Sequence, residues 1–436
     1  MLLMVPLAII ASRQFADRKA FLLSPFCVFV FAWAASAAAY LTGTDFLRAR
    51  TIVALASFYV AFIAGAGYVL IRFPRVAVIN RSVAIAPRPH FLRTMLILQG
   101  LAFFAALAHL YFAFVQSQYT LDLTTIRGVL ATKHIQEPVL VGLLGQLRYI
   151  NYVSPIAFYA AYRAGATTRR ALIASSVLAC LYPLCYLERS GVLRIGMLLI
   201  FAHLYYSVDS FKRVLRFGAV AILVFIPVVV AVPLLRGQAE GVNAYNYVSG
   251  AWSGFDNFVT GSLGPVVVLE KQNIYVEPDG YHLTDSAAPP LSLTFSDLYR
   301  ICDALKVCQV KQSNFFEYVY EPIYTNIYTL ARTFFQDFGM FGAPVAAALC
   351  GALLTFAYLW GISRNGAFPT YVAAYTAYVC AMSVLSDNFL MRDIALTGIL
   401  VGTIGWWFGS QPFCFGIARN DRCATAPAYN SAERAR

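Results

Sequence analysis

Arginine dominates the reactive side chains of this protein: of 33 basic residues, 27 are arginine and six are lysine. Arg148 and Arg194 fall inside apolar stretches. There a charge costs ~2.5–3.5 kcal/mol on insertion scales unless it is paired or lines a water-filled cavity. Arg127, Arg189, Arg236, Arg332 and Arg392 lie at the ends of such stretches or between them. A guanidinium is planar and permanently charged, and its fork matches two phosphate oxygens at once. Several of them facing one compartment suit a polyanionic ligand. The competing structural roles are snorkelling to the interface and ion pairs between neighbours, such as Glu188 with Arg189 or Asp393 with Arg392.

Other chemistries lack their residues. There is no phosphate-cradling glycine loop followed by Lys and Ser/Thr, no Cys-x-x-Cys, no His-Glu-x-x-His and no Gly-x-Ser-x-Gly. Nucleotide-driven, zinc and serine-hydrolase mechanisms therefore lose support, and no metal site is expected. The histidines are scattered at 90, 109, 134, 203 and 282. One short segment is denser in polar groups: Asn326, Tyr328, Thr329, Arg332, Asp337, Phe338, Gly339 and Gly342. Thr325 or Asn326 is expected to cap a short helix that Gly339 ends. On it Tyr328 and Arg332, four residues apart, share a face, while Phe334, Phe335 and Phe338 bury the other. A plain amphipathic re-entry helix would carry the same pattern.

The elements that must position these groups follow from composition. Of 436 residues, 60% are apolar and 12% charged, against roughly 25% charged in a soluble domain, and the mean hydropathy is +0.65. Several apolar runs exceed the ~18 residues that cross a ~30 Å hydrocarbon core as helix, and lack the ~10-residue alternation of a membrane β-barrel. The expected fold is an all-α polytopic integral membrane protein with about 10 to 12 transmembrane helices and one large, partly helical loop. Spans are read at roughly 21–41, 51–71, 94–115, 139–162, 171–187, 192–207, 217–235, 340–361, 369–386 and 394–410. Met1 to Ala11 is too short to span and has no small-residue cleavage site, so it reads as a partial first helix.

Charge sets the orientation. Nineteen basic residues, among them Arg18, Arg72, Arg88, Arg163, Arg213, Arg364 and Arg436, fall in alternate loops with four acidic ones, which makes those loops and the C-terminus cytoplasmic. This sorting explains the net charge of +12 as topology and leaves no case for nucleic acid. The expected units are an N-terminal transmembrane bundle over 1–235, a large periplasmic loop or cap over 236–338, C-terminal transmembrane helices over 339–410 and a cytoplasmic tail over 411–436. The cap holds eleven of the 21 acidic residues, several aromatic side chains and a helix-like patch from Phe295 to Val307. An oxidising location permits a Cys302–Cys308 disulfide. Of the histidines, only His134 and His282 lie on this outer side.

The motif of Asn326, Tyr328, Thr329, Arg332, Asp337, Phe338 and Gly339, set in many spans with one large outer loop before the last three, resembles the Wzy-type oligosaccharide repeat-unit polymerases of bacterial O-antigen and exopolysaccharide synthesis. The layout is shared with O-antigen ligases. The resemblance implies a GT-C-like glycosyltransferase in the bacterial inner membrane, its active site facing the periplasm. It would move a growing glycan from undecaprenyl diphosphate to a second lipid-linked repeat unit, with no cofactor. Its partners would be undecaprenyl-diphosphate-linked oligosaccharides, the bilayer and, where one exists, a polysaccharide chain-length regulator.

The catalytic residues so implied are Arg332, Asp337 and His282. Arg127, Arg189, Arg236, Arg392, Asn326 and Tyr328 would bind diphosphate and glycan. The general base stays open among Asp337, Glu317, Asp256 and His282. Two alternatives remain: an O-antigen ligase, and a transporter or flippase for lipid-linked sugars whose path Arg148 and Arg194 would line.

Overall fold

A computed structural model describes residues 17–41, 47–73, 88–119, 126, 130, 138–186, 189–206, 244–260, 267–270, 273–276, 329–364, 366–384 and 397–404. Its described helices are α1 (Arg18–Leu22), α2 (Pro25–Tyr40), α3 (Ala49–Arg72), α4 (Pro89–Gln116), α5 (Val139–Gly145), α6 (Ile150–Arg163), α7 (Arg169–Cys185), α8 (Arg189–Tyr206), α9 (Ala244–Thr260), α10 (Leu330–Ile362) and α11 (Ala367–Met382). A 3₁₀ turn, Gln146–Tyr149, joins α5 to α6. Residues 397–404 are also helical.

Helix starts follow their capping residues. Asp17 accepts the amides of Lys19 and Ala20 at 3.0 and 3.1 Å ahead of α1. Ser24 Oγ takes that of Cys27 at 3.4 Å, while Pro25 opens α2 where no amide hydrogen is needed.

Among the described residues, three helices are long and apolar enough to cross a membrane: α3 with 24 residues, α4 with 28 and α10 with 33. At 1.5 Å per residue even the shortest reaches about 36 Å. The outer face of α10 presents Phe341, Val345, Leu349, Leu353 and Phe356 as one exposed apolar stripe, with Phe341 94% exposed. Ile97, Leu101, Phe104, Leu107 and Tyr111 do the same on α4. Water would penalise such stripes and hydrocarbon does not, so the protein is membrane-embedded and predominantly helical.

Small residues let α3 and α10 pack closely. A Cβ on Gly65 would run into the Ala348 carbonyl, and one on Gly351 into that of Phe62. Beside this contact lies an aromatic layer in which Phe29 stacks on Phe62 at 3.9 Å and on Tyr59 at 5.6 Å. One core cluster runs from α1 and α2 through α3, α6, α8 and α9 to α10 and α11. At one end of the bundle Tyr358 Oη donates to the Ala20 carbonyl at 2.6 Å. At the other, Ser383 joins three helices: Trp33 Nε1 donates to its Oγ at 2.9 Å and the Leu330 amide to its carbonyl at 2.7 Å.

Several expectations are corrected. The helix expected to start at Thr325 or Asn326 starts at Leu330, with Thr329 as N-cap; its helical backbone stops at Gly339, as expected. α10 is thus two helical stretches meeting at a kink, with Gly339 at φ 68° and ψ −176°, a backbone only glycine adopts readily. The segment read as a partly helical loop or cap also contains a hairpin, β1 (Val267–Glu270) antiparallel to β2 (Asn273–Val276). Its helix α9 is packed into the bundle: Trp252 Nε1 donates to Ser36 Oγ at 2.7 Å, and Phe255 is fully buried. The span read at 217–235, the 295–307 patch, Cys302 and Cys308 lie outside the described residues.

Candidate functional site

Arginines at two places, Arg332 in one and Arg148 with Arg194 in the other, lie toward the end of the bundle where Ser383 sits. The first is on α10. Arg332, in its first turn, holds its guanidinium carbon 5.3 Å from the Phe258 ring centroid of α9. The helix presents aromatic residues to two neighbours: Phe334 lies 5.5 Å from Phe58 of α3 and Phe335 5.6 Å from Phe255 of α9. Asp337 is half-buried on the same helix before the Gly339 bend. Five residues apart on a regular helix means about 140° of rotation, so Arg332 and Asp337 do not share a face.

The second group is built by α6, α7, α8 and α11. Arg148, in the 3₁₀ turn, donates from Nη2 to Tyr149 Oη at 2.9 Å and lies 5.0 Å from that ring. It lines a small cleft of about 50 Å³ with Asn151, Tyr152, Tyr182, Pro183, Tyr186 and other residues of α7 and α8. On α8, Arg194 is 9% exposed; its guanidinium carbon lies 4.9 Å from the Tyr152 ring and 5.5 Å from that of Tyr378, and its Nε donates to Tyr378 Oη at 3.4 Å. Tyr152 thus connects the arginines, lining the cleft beside Arg148 and meeting Arg194 with its ring. Aromatic faces offset part of the cost of burying these cations.

Behind the cleft lies a polar network. Gln99 Oε1 accepts from Ser154 Oγ and Ser175 Oγ, both at 2.8 Å. Gln99 Nε2 donates to the Ser175 carbonyl at 3.1 Å and to Asn151 Oδ1 at 3.3 Å. These groups are buried, and their bonding ties α4, α6 and α7 together.

The structure separates the sequence candidates. Arg332 and Asp337 are placed as described. Arg189 is the first residue of α8, its side chain outside the description. Arg127, Arg236, Arg392, Asn326, Tyr328, His134, His282 and Glu317 lie outside the described residues. Asp256, another general-base candidate, lies 3.7 Å from Arg48 Nε and accepts the Arg48 amide at 3.0 Å. The sequence reading flagged Arg148 and Arg194 but missed the tyrosines and Asn151 around them. A signal was present in the spacing, since Tyr149 and Tyr152 follow Arg148 by one and four residues and Tyr182 and Tyr186 stand four apart. Among the described residues no three His, Cys, Asp or Glu side chains gather as metal ligands.

Comparison with models of known protein families, with curated proteins and with solved structures gives no match.

Proposed function

We propose that this protein is a metal-independent glycosyltransferase that polymerises undecaprenyl-diphosphate-linked oligosaccharide repeat units at the periplasmic face of the bacterial inner membrane. In this reading it spans the membrane about 10 to 12 times, as its apolar runs suggest. The observation that carries the reading is Arg332 on α10, held against Phe258 of α9 at the end of the bundle where Ser383 joins α2, α10 and α11.

The acceptor hydroxyl oxygen bonds to the anomeric carbon of the donor glycan. The carbon–oxygen bond to the diphosphate breaks, and undecaprenyl diphosphate leaves with the electron pair. Arg332 neutralises the charge growing on that leaving group, a form of electrostatic stabilisation worth several kcal/mol in many enzymes. Asp337 takes the acceptor proton. Acceptor and leaving group meet the anomeric carbon at different points, so base and arginine on different helix faces suit the reaction. Arg127, Arg189, Arg236 and Arg392, with Asn326, Tyr328 and His282, complete the proposed site around diphosphate and sugars.

Purified full-length protein in liposomes, given only lipid-diphosphate-linked repeat units, is expected to lengthen them without nucleotide and in the presence of chelator. Movement of labelled lipid across the bilayer with no longer product would overturn the polymerase and support a transporter.

A further inference from the structure

The cleft between α6, α7 and α8 carries an assignment of its own. Its lining includes a cation, Arg148, and no carboxylate. It also includes a buried donor whose direction the network fixes. A carbonyl only accepts, so the Gln99 nitrogen must be the atom facing the Ser175 carbonyl, and its oxygen the atom that receives the two serine hydroxyls. Gln99 Nε2 therefore donates to Asn151 Oδ1, which leaves the Asn151 amide nitrogen on the other side. That nitrogen is buried without a hydrogen-bond partner in a residue 1% exposed, and Asn151 lines the cleft.

A buried amide donor left unsatisfied is costly, and so is a part-buried arginine that no carboxylate neutralises in the cleft. One ligand class relieves both. An oxyanion accepts from the arginine fork and the amide together, and a tetrahedral phosphate offers enough oxygens to do so. The Tyr182 hydroxyl, whose contacts to the Gly145 carbonyl and Tyr186 Oη are long at 3.5 and 3.4 Å, is a third donor at the same wall. The remaining surface, from Ala179, Pro183, Ile195 and the tyrosine rings, favours an anion with an organic chain over a fully hydrated one. Arg332 belongs to a different pair of helices, so this assignment stands apart from the proposed transfer chemistry.

We propose that Arg148 and Asn151 form a binding site for a phosphate-class oxyanion, supplied either as the headgroup of a lipid phosphate or as a soluble phosphate. Isothermal titration of the full chain in dodecyl maltoside, with inorganic phosphate, inorganic pyrophosphate and farnesyl diphosphate as separate probes, tests it without any turnover. Binding is expected, weakened roughly tenfold or more by Asn151→Asp, which exchanges the donor for an acceptor beside the arginine, and by Arg148→Gln. Thermal melting of each variant shows whether it is folded, and Arg148→Lys, which keeps the charge and loses the fork, is expected to bind several-fold more weakly than wild type. Site-dependent binding of all three probes identifies a soluble source. Site-dependent binding of farnesyl diphosphate alone identifies a lipid phosphate. Absence of binding, or wild-type affinity in both folded Asn151→Asp and Arg148→Gln, overturns the assignment whether or not the protein elongates glycans.

Discussion

Asp256 on α9 holds the beginning of α3 through Arg48: one carboxylate oxygen accepts the Arg48 amide at 3.0 Å and the other lies 3.7 Å from its Nε. Arg48 Nη1 also reaches Thr260 Oγ1, one turn further along α9. An oxygen acceptor at the first turn satisfies an amide that the helix cannot, and its negative charge suits the positive end of the helix. The arrangement ties α9 to the start of α3, and on α9 Phe258 lies against Arg332.

Asp256→Ala is therefore expected to destabilise the protein by about 1 kcal/mol, the usual cost of a lost cap. Asp256→Asn, which keeps an acceptor for the amide, should stay close to wild type, because Arg48 is half exposed and its ion pair is screened. Thermal melting in detergent measures both. Loss of elongation in a stable Asp256→Asn protein would point to this residue as the base.

Gly339 has φ 68° and ψ −176°, with nothing within 4 Å of where a Cβ would lie. Any penalty for Gly339→Ala must then come from the backbone, at about 1–3 kcal/mol. The melting temperature should fall, and α10 should straighten or shift its first turn, carrying Arg332 away from Phe258. A protein as stable and as active as wild type would show that the bend is dispensable.

Arg332→Lys keeps a positive charge and loses the bidentate fork. The expected result is a protein that inserts and accumulates normally but loses most elongation. Arg88→Ala, at the start of α4 on the side read as cytoplasmic, should leave elongation nearly unchanged. Equal losses in both would trace the effect to folding and remove the diphosphate role of Arg332.

Orientation is tested by a reporter enzyme active only outside the cytoplasm. Fused near Gly280 it should work, and fused near Pro87 or at Arg436 it should fail. Activity in the reverse pattern would move the Arg332 end of the bundle to the cytoplasmic side and end the polymerase reading.

The sequence by itself determined the solvent and the class of element. Runs such as those ending at Arg72 and Gln116 leave the backbone no partner but its own helix in lipid, so helices form whatever their neighbours are. It also marked Arg148 and Arg194 as charges in apolar surroundings, and Gly339 as a break. Which groups would meet was decided only by tertiary structure. The apolar helices carry hydrophobic residues on lipid-facing and buried sides alike, so the pattern that reveals a core face in water is weak here. Trp33 finds Ser383 at a separation of 350 residues, and Arg194 finds Tyr378 at 184. The Asn151 donor was hidden for the same reason: its direction depends on Gln99 of α4 and Ser175 of α7, and only the packing of three helices brings those groups together.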